Sequence, residues 1–380
     1  MPARLLIYLT FLFFSFGQLA RVSFFGQQVN LYLYEITLFL TLIYFLFKYG
    51  PSPLKIFLND LRSVFAFLFF LFLSFLIGAG GFSVRENWIA FLYLGRLCLY
   101  FTYLAYLMFY LKKEKSAGKT ISRSILIFIV VTVVFTAIQY LFYPDLINLF
   151  YLGWDPHYYR TFGVYFDTGV SGAVFGLSWF YVYKRCRRPW FLLVVLLAAI
   201  YLTYSRSLYL AFILTLGIVT VSQKRYWAIF LLIGFFLVLY FFVPKRTGEG
   251  VNLLRTFSIE SRIADNKTAL SLWGKKPIFG WGYNRIRYVK KKFNLINPQD
   301  YEMTHAGASF HSSYGIILVS SGLVGLLLFL AAMFAVGRIS SLASSLVFFA
   351  GVMSLTDNII LHPFILFLMF TFSVSPLSDR

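Results

Sequence analysis

The sequence predicts an all-α polytopic membrane protein. Of its 380 residues, 60% are hydrophobic and 13% are charged, whereas about a quarter of the residues in a typical soluble domain are charged. The apolar residues form long unbroken runs, which disfavours the alternating pattern of a membrane β-barrel. The formal net charge of +20 therefore belongs to the loops of a membrane protein, and we expect no nucleic-acid partner.

Allowing about 20 apolar residues per crossing predicts about 12 transmembrane helices. The first run has a minimal charged region and no good small-residue cleavage site, so we interpret it as a helix rather than a signal peptide. The predicted helices lie near 5–20, 30–47, 63–80, 88–111, 124–143, 166–183, 190–203, 208–222, 227–243, 312–336, 342–356 and 359–375.

The distribution of Lys and Arg over the short loops predicts the orientation. One set of alternate loops, with both chain ends, carries 17 of the 34 Lys and Arg residues, so both termini are predicted to be cytoplasmic. The chain then divides into helices 1–9 (residues 1–243), a large outer loop domain (244–311), and helices 10–12 with a cytoplasmic tail (312–380).

An arginine interrupts the apolar stretch "YLTYSRSLYLAFILTL" at position 206. An Arg near the centre of a membrane helix costs about 2.5–3.5 kcal/mol on insertion scales. The predicted topology instead places "TYSRS" in a tight turn between helices 7 and 8 at the outer membrane boundary. There Arg206 can face water or an anionic ligand.

The outer loop domain is basic, with 12 Lys and Arg against 5 Asp and Glu. Its segment "IESRIADNKTALSLW" predicts an amphipathic helix with Ile263, Leu270 and Trp273 on one face and Arg262 in the first turn. The segment "RIRYVKKKF" follows, and its lysines predict a solvated or headgroup-binding patch.

Candidate functional residues gather at the predicted outer face. Arg160, Arg206 and Arg262 come from three separate outer segments, and His305 and His311 precede helix 10. Arginine binds phosphates with two parallel hydrogen bonds, and histidine suits proton acceptance near neutral pH. This pattern predicts a site for a lipid-linked phosphate or pyrophosphate with a histidine base.

The acidic residues and cysteines predict no metal centre. The acids Asp155, Asp167, Glu260, Asp265 and Asp357 are scattered in the sequence, without the clusters that hold divalent cations. The two cysteines suggest neither a disulfide framework nor a metal site. We therefore expect no cofactor and a metal-free transfer in which arginines neutralise the leaving group.

Simpler interpretations remain open at this point. A single Arg near a helix end often extends to the lipid headgroups, and a His at a helix entrance is more often a cap or packing residue than a base. A transporter is a second class, although transporters place polar groups near the midplane in repeated halves, and the sequence shows no internal repeat.

Three motifs resemble the bacterial O-antigen ligase family, within the larger group that includes O-antigen polymerases. "HSSYGIILVSSGLVG" has a His with Gly eleven and fourteen positions later (Gly322 and Gly325), and "TYSRS" is similar to Thr-x-Ser-Arg. "SRIADNKTALSLWGKKPIFGWGYN" matches an Arg-led helix followed by Pro-x-x-Gly-x-Gly. Weaker similarity lies in "RTFGVYFDTG" around Arg160 and in "SLTDNIILHP".

The resemblance implies a C-type glycosyltransferase fold in the bacterial inner membrane with a periplasmic active site. The implied reaction moves a glycan from undecaprenyl pyrophosphate to a sugar hydroxyl of the lipid A core, or, in a polymerase, to another lipid-linked repeat. By position, His311 would be the general base, while Arg206 and Arg262, with Arg160, would bind the pyrophosphate. We expect possible donor or acceptor contacts at Tyr204, Tyr283, His305 and Tyr314.

Overall fold

The protein is largely helical over the residues that the computed structural model describes, which are 2–186, 189–224, 230, 233–234, 237, 241, 251–252, 256–296 and 309–375. We number the helices and strands along the chain. The helices are α1 Pro2–Phe14, α2 Leu33–Tyr49, α3 Lys55–Asn59, α4 Arg62–Gly78, α5 Val84–Lys113, α6 Ala117–Phe142, α7 Thr168–Arg185, α8 Trp190–Leu202, α9 Arg206–Ser222, α10 Phe257–Gly274, α11 Ile286–Lys292, α12 Ser313–Gly337, α13 Ser341–Met353 and α14 Pro363–Val374.

The sheet is a single antiparallel hairpin within the described residues. Strand β1 (Arg21–Phe24) pairs with β2 (Val29–Tyr32), and Arg21 lies opposite Tyr32. The hairpin occupies the first predicted outer loop, which the sequence analysis left without secondary structure.

The apolar helices confirm an all-α membrane protein. Four of the described helical segments are long and apolar enough to cross a membrane, namely Arg62–Gly81, Val84–Lys113, Ala117–Phe142 and Ser313–Gly337. A fifth span is possible if Leu33–Tyr49 and Ser52–Asn59, which meet at 102°, count as one. The ninth predicted helix lies almost entirely outside the described residues, so the total of 12 stays a prediction.

Two helices form the buried centre of the bundle. Every residue of α14 from Phe364 to Ser373 is buried, and α7 is buried from Val170 to Val182. Apolar side chains on every side of a membrane helix can face lipid or other helices, and in these two helices they face other parts of the protein. The core therefore surrounds these two elements.

Contacts join segments that the sequence predicts on the same side of the membrane. Among the predicted inner segments, Lys48 Nζ lies 2.6 Å from Glu114 Oε1, and Lys184 donates to the carbonyl of Ser341. Among the predicted outer segments, the hairpin, the segment before α7 and the segment between α13 and α14 line one cavity. Which side faces the cytoplasm stays a prediction.

Helix α12 is broken at Gly322, where φ is 69° and ψ is −170°. The segment 277–282 packs against the break and supplies backbone partners there. Trp281 N donates to Val319 O at 3.0 Å, and Leu323 N donates to Pro277 O at 2.8 Å. We call this paired region the glycine clamp. The Pro-x-x-Gly-x-Gly motif and Gly322 of the His motif therefore meet in the same backbone contact.

The glycines of the clamp are required by the close approach of the two backbones. A Cβ atom on Gly322 would lie 2.1 Å from Ile278 O, and one on Gly280 would lie 2.4 Å from the carbonyl carbon of Ser320. Both glycines have positive φ values, which residues with a Cβ rarely adopt. Ser74 of α4 donates to Phe279 O and Ser320 O, so a third segment joins the clamp.

Arg285 fixes the segment after the clamp to α4 and α5. Its side chain is fully buried, donates to Phe75 O at 2.9 Å and to Asn87 Oδ1 at 2.6 Å, and lies over the ring of Phe75. A buried cation needs such partners because its desolvation is costly. Arg285 therefore holds the outer segment against the membrane helices.

The predicted helix is present as α10, which leaves Ile263 and Leu270 about half exposed and buries Ala269 and Leu272 against the body of the protein. The prediction of a solvated or headgroup-binding patch is wrong for Lys290. This lysine is buried, because its Nζ lies 3.3 Å from Asp265 Oδ1.

We predict that Gly322→Ala destabilises the protein. The new methyl group would meet the carbonyl of Ile278 in a backbone conformation that costs about 1–3 kcal/mol for a residue with a Cβ. The matched control is Gly217→Ala in α9, where a Cβ meets nothing within 4 Å, and helix propensity favours Ala there. Thermal unfolding of detergent-purified variants should show a lower Tm for Gly322→Ala alone; equal Tm values would contradict the clamp.

Candidate functional site

The "TYSRS" turn joins α8 to α9, as the sequence predicts. Helix α8 ends at Leu202 and α9 begins at Arg206, with Tyr204 between them at a φ of 49°. The turn therefore places the Arg206 side chain at a helix N-terminus, where backbone N–H groups and the helix dipole favour anions.

Arg160 holds this turn from the side. Its side chain is buried; Nε donates to Thr203 O at 2.7 Å and Nη2 lies 3.5 Å from Tyr204 O. The guanidinium therefore bonds to backbone carbonyls of the turn. These contacts fix Arg160 against the turn, and its predicted contact with the pyrophosphate stays a prediction.

Asp357 connects the turn to α10. Arg262 Nη2 lies 2.6 Å from Asp357 Oδ1, and the hydroxyl of Ser207 donates to Asp357 Oδ2 at 2.5 Å. The Arg262 side chain is 27% exposed, so it still borders solvent. One carboxylate thus brings the helix of Arg262 beside the start of the helix of Arg206.

Asp265 lies one helical turn after Arg262 on α10 and contacts His311. Its Oδ2 accepts a hydrogen bond from the backbone N–H of His311 at 2.7 Å and lies 2.9 Å from Nδ1 of the ring. Residues three apart share a helix face, so one face of α10 carries both polar contacts. The His311 side chain is 49% exposed, which leaves the ring accessible.

The surroundings of Asp265 keep it ionised. Burial by itself raises the pKa of this carboxyl, but the hydrogen bonds from His311 and the charge of Lys290 outweigh it, so the pKa lies below its usual value. Whenever the His311 ring is neutral, an ionised Asp265 favours the tautomer with the proton on Nδ1. The Nε2 atom then carries the lone pair and is the acceptor of the ring.

A cavity of about 430 Å³ lies beside these groups, and we call it the His311 cavity. It is formed by the hairpin, the start of α7 and the segments before α12 and α14. Its lining includes Gln18, Arg21, Asp167, His311, Asp357 and His362. The predicted base and the carboxylate that orders the arginine region therefore share one solvent-connected space.

The other residues predicted to contact the donor or acceptor lie in different places. Tyr283 is buried and lines a second cavity next to the first. Tyr314 donates to Gly351 O at 3.0 Å, so it joins α12 to α13. Tyr204 lies in the turn itself, and His305 lies outside the described residues.

Two acids make contacts that the sequence did not predict. Asp265 and Asp357 were interpreted as scattered, but the fold pairs them with His311 and Arg262. The spacing of Arg262 and Asp265 on one helix face was the available signal. Across the described part of the chain, no three His, Cys, Asp or Glu side chains form a group that could hold a metal ion.

We predict that Arg160→Lys lowers the Tm of the protein, because a single ammonium cannot reproduce the contacts of two guanidinium nitrogens with the Thr203 and Tyr204 carbonyls. Losing one charge-assisted hydrogen bond costs about 1.5–3 kcal/mol. Arg123→Lys, at an exposed position on α6, is the matched control and should leave the Tm unchanged. An unchanged Tm in both variants would contradict the stabilising role of these contacts.

No curated protein matches the chain. A sequence model of the family described as O-antigen ligase matches residues 191–330. This range covers the "TYSRS" turn, α10, the glycine clamp and His311. The match agrees with the resemblance in the motifs, which makes this part of the chain similar to the O-antigen ligase family.

Proposed function

We propose that the protein is an O-antigen ligase. It transfers a glycan from undecaprenyl pyrophosphate to a sugar hydroxyl of the lipid A core, at the periplasmic face of the bacterial inner membrane. The observation that supports this most is the face of α10, on which Arg262 bonds to Asp357 and Asp265 bonds to His311. The family match supports a transferase of the ligase or polymerase type.

His311 acts as the general base in this proposal. Asp265 holds Nδ1 and the backbone N–H of His311, so the ring orientation is fixed and Nε2 is the proton acceptor. A positioned base contributes about 10²–10⁴-fold to a rate. The acceptor hydroxyl therefore approaches from the Nε2 side of the ring.

Arg206 and Arg262 bind the pyrophosphate. Arg262 uses one terminal nitrogen for Asp357, and a guanidinium has five N–H donors in total, so further donors are present for phosphate oxygens. Arg206 adds a second cation at the N-terminus of α9. Placing donors where negative charge develops is the main electrostatic route to lowering a barrier.

The transfer is a single displacement with inversion. The acceptor oxygen forms a bond to the anomeric carbon while its proton passes to Nε2 of His311. The bond between the anomeric carbon and the pyrophosphate oxygen breaks, and undecaprenyl pyrophosphate leaves with the electron pair. The two arginines neutralise the leaving group, so this proposal requires no metal ion.

The first experiment uses purified protein in lipid with a defined undecaprenyl-pyrophosphate glycan, a chelator, and either lipid A core or a second lipid-linked repeat. Glycan on the lipid A core supports the ligase. Longer lipid-linked chains instead would make the protein a polymerase. No product on either acceptor, both in chelator and with an added divalent metal, would favour a transporter. Activity that required an added divalent metal would contradict the metal-free displacement.

We predict that His311→Ala reduces kcat by about 10²–10⁴-fold, with little change in donor affinity. Asp265→Asn should cause a smaller loss because the base remains but its orientation is weakened. Glu260→Gln, an exposed position on the same helix, is the matched charge control and should retain activity. Wild-type turnover by His311→Ala would rule out the base.

We predict that Arg206→Lys and Arg262→Lys weaken both donor binding and turnover. A lysine keeps the charge but cannot make paired hydrogen bonds to phosphate oxygens. Lys267→Arg, at an exposed position of α10, is the control. Binding of undecaprenyl pyrophosphate, measured separately from transfer, should fall in the two lysine variants; unchanged binding would place the pyrophosphate elsewhere.

A further inference from the structure

A second cavity adjoins the His311 cavity, and we call it the Arg96 cavity. Its volume is about 260 Å³, and it lies among the hairpin, α5, α11 and the start of α14. The two cavities share the lining residues Asn30, Tyr32, Ser309, Asn358 and His362. A group held beside His311 can therefore continue directly into the Arg96 cavity.

Two arginines line this cavity, Arg96 and Arg287, and Arg96 is paired with a carboxylate that lies outside the lining. Arg96 Nη2 lies 2.8 Å from Glu35 Oε2, and the hydroxyl of Tyr100 donates to Glu35 Oε1 at 2.5 Å. This carboxylate neutralises the guanidinium, so Arg96 presents little net charge to a phosphate. Phenols, amides and aliphatic side chains form much of the remaining wall.

His362 stands where the two cavities meet. Its Nδ1 atom is buried and has no hydrogen-bond partner among the described residues. Its carbonyl accepts from Ile365 N and Leu366 N, and its ring lies 5.1 Å from the ring of Phe364, so its position is fixed. A buried polar atom without a partner normally marks a place for water or a ligand.

The protonation of His362 restricts what it can bind. Burial lowers the pKa of His362 to about 4, although Asp167 partly opposes this effect. The ring is therefore neutral at neutral pH and offers one donor and one acceptor. A hydroxyl group, which also donates and accepts, is the matching partner, whereas a phosphate would prefer a cation.

A second buried polar atom points to the same ligand chemistry. Gln18 lines the His311 cavity, and its Oε1 atom is buried without a hydrogen-bond partner among the described residues. The side chain of Asn358, on the shared wall, is oriented by a bond from the hydroxyl of Ser313 to its Oδ1 at 3.1 Å. These groups form a pre-ordered polar lining.

We propose that the joined cavities bind one neutral sugar ring of a glycan substrate, with His362 and Gln18 hydrogen-bonded to its hydroxyls. The volume of the Arg96 cavity, about 260 Å³, is below the ~300–1,000 Å³ of pockets for drug-sized ligands, so the ring extends past His362 into the His311 cavity, which Gln18 lines. This inference rests on the proposed function, because the ring belongs to either the donor or the acceptor glycan.

The test combines binding and kinetics of His362→Phe, which keeps a ring beside Phe364 and removes both nitrogens. We expect the KM for one glycan substrate to rise at least tenfold, with a smaller effect on kcat. A rise confined to the donor identifies the donor sugar, and a rise confined to the acceptor identifies the acceptor sugar. Binding of undecaprenyl pyrophosphate without a glycan should not change.

Two further variants keep the test decisive if His362→Phe does not fold. His362→Asn returns a polar atom near Nδ1 and should restore part of the affinity, and Gln18→Leu should raise the KM for the same glycan. His157→Asn is the matched control, because His157 lines neither cavity and Asn tolerates its positive φ. Wild-type KM values for both glycans in the His362 and Gln18 variants would overturn the inference.

A separate readout distinguishes this inference from the proposed function. Binding of the free oligosaccharides of donor and acceptor to the purified protein requires no transfer. If the wild type transfers no glycan but binds an oligosaccharide that His362→Phe does not bind, the ligase assignment fails and the sugar site stands. If the wild type transfers glycan but binding is the same in all variants, the sugar site fails alone.

Discussion

The backbone pairing at the glycine clamp is the constraint on which the site depends. Helix α12 gives up its own hydrogen bonds at Gly322, and the segment 277–282 replaces them. That segment directly follows α10, and His311 directly precedes α12. Joining the two backbones at this point sets α10 against the first half of α12, and the contact between Asp265 and His311 follows from that packing.

The arginines near the site differ in the partners that they bond to. A buried or half-buried arginine requires an anion or several carbonyl groups. Arg285 and Arg160 have carbonyl partners and stabilise the scaffold, whereas Arg262 has the carboxylate of Asp357. In the proposed function Arg262 keeps this carboxylate and offers its remaining N–H donors to phosphate.

Much of this arrangement could be predicted from the sequence. Long apolar runs identified the helices, because burial of apolar surface in lipid leaves a strong pattern. The "TYSRS" turn followed from the position of Arg206 between two such runs. The glycine motifs were recognised as a pattern, but their physical meaning required the structure, since a close approach of two backbones leaves no periodic signal.

The rest depended on contacts between distant segments. Asp357 lies 95 residues from Arg262, and nothing local to either residue indicates the pair. The burial of Lys290 was not predicted for the same reason. Its carboxylate partner Asp265 lies on another helix, so the basic run around Lys290 is read from the sequence as solvated.

Arg262 and Asp265 lie three residues apart on α10, so their contacts with Asp357 and His311 are supported by the same helix. A small tilt of this helix would break both contacts together. In the proposed function, leaving-group stabilisation and base orientation are therefore gained or lost together.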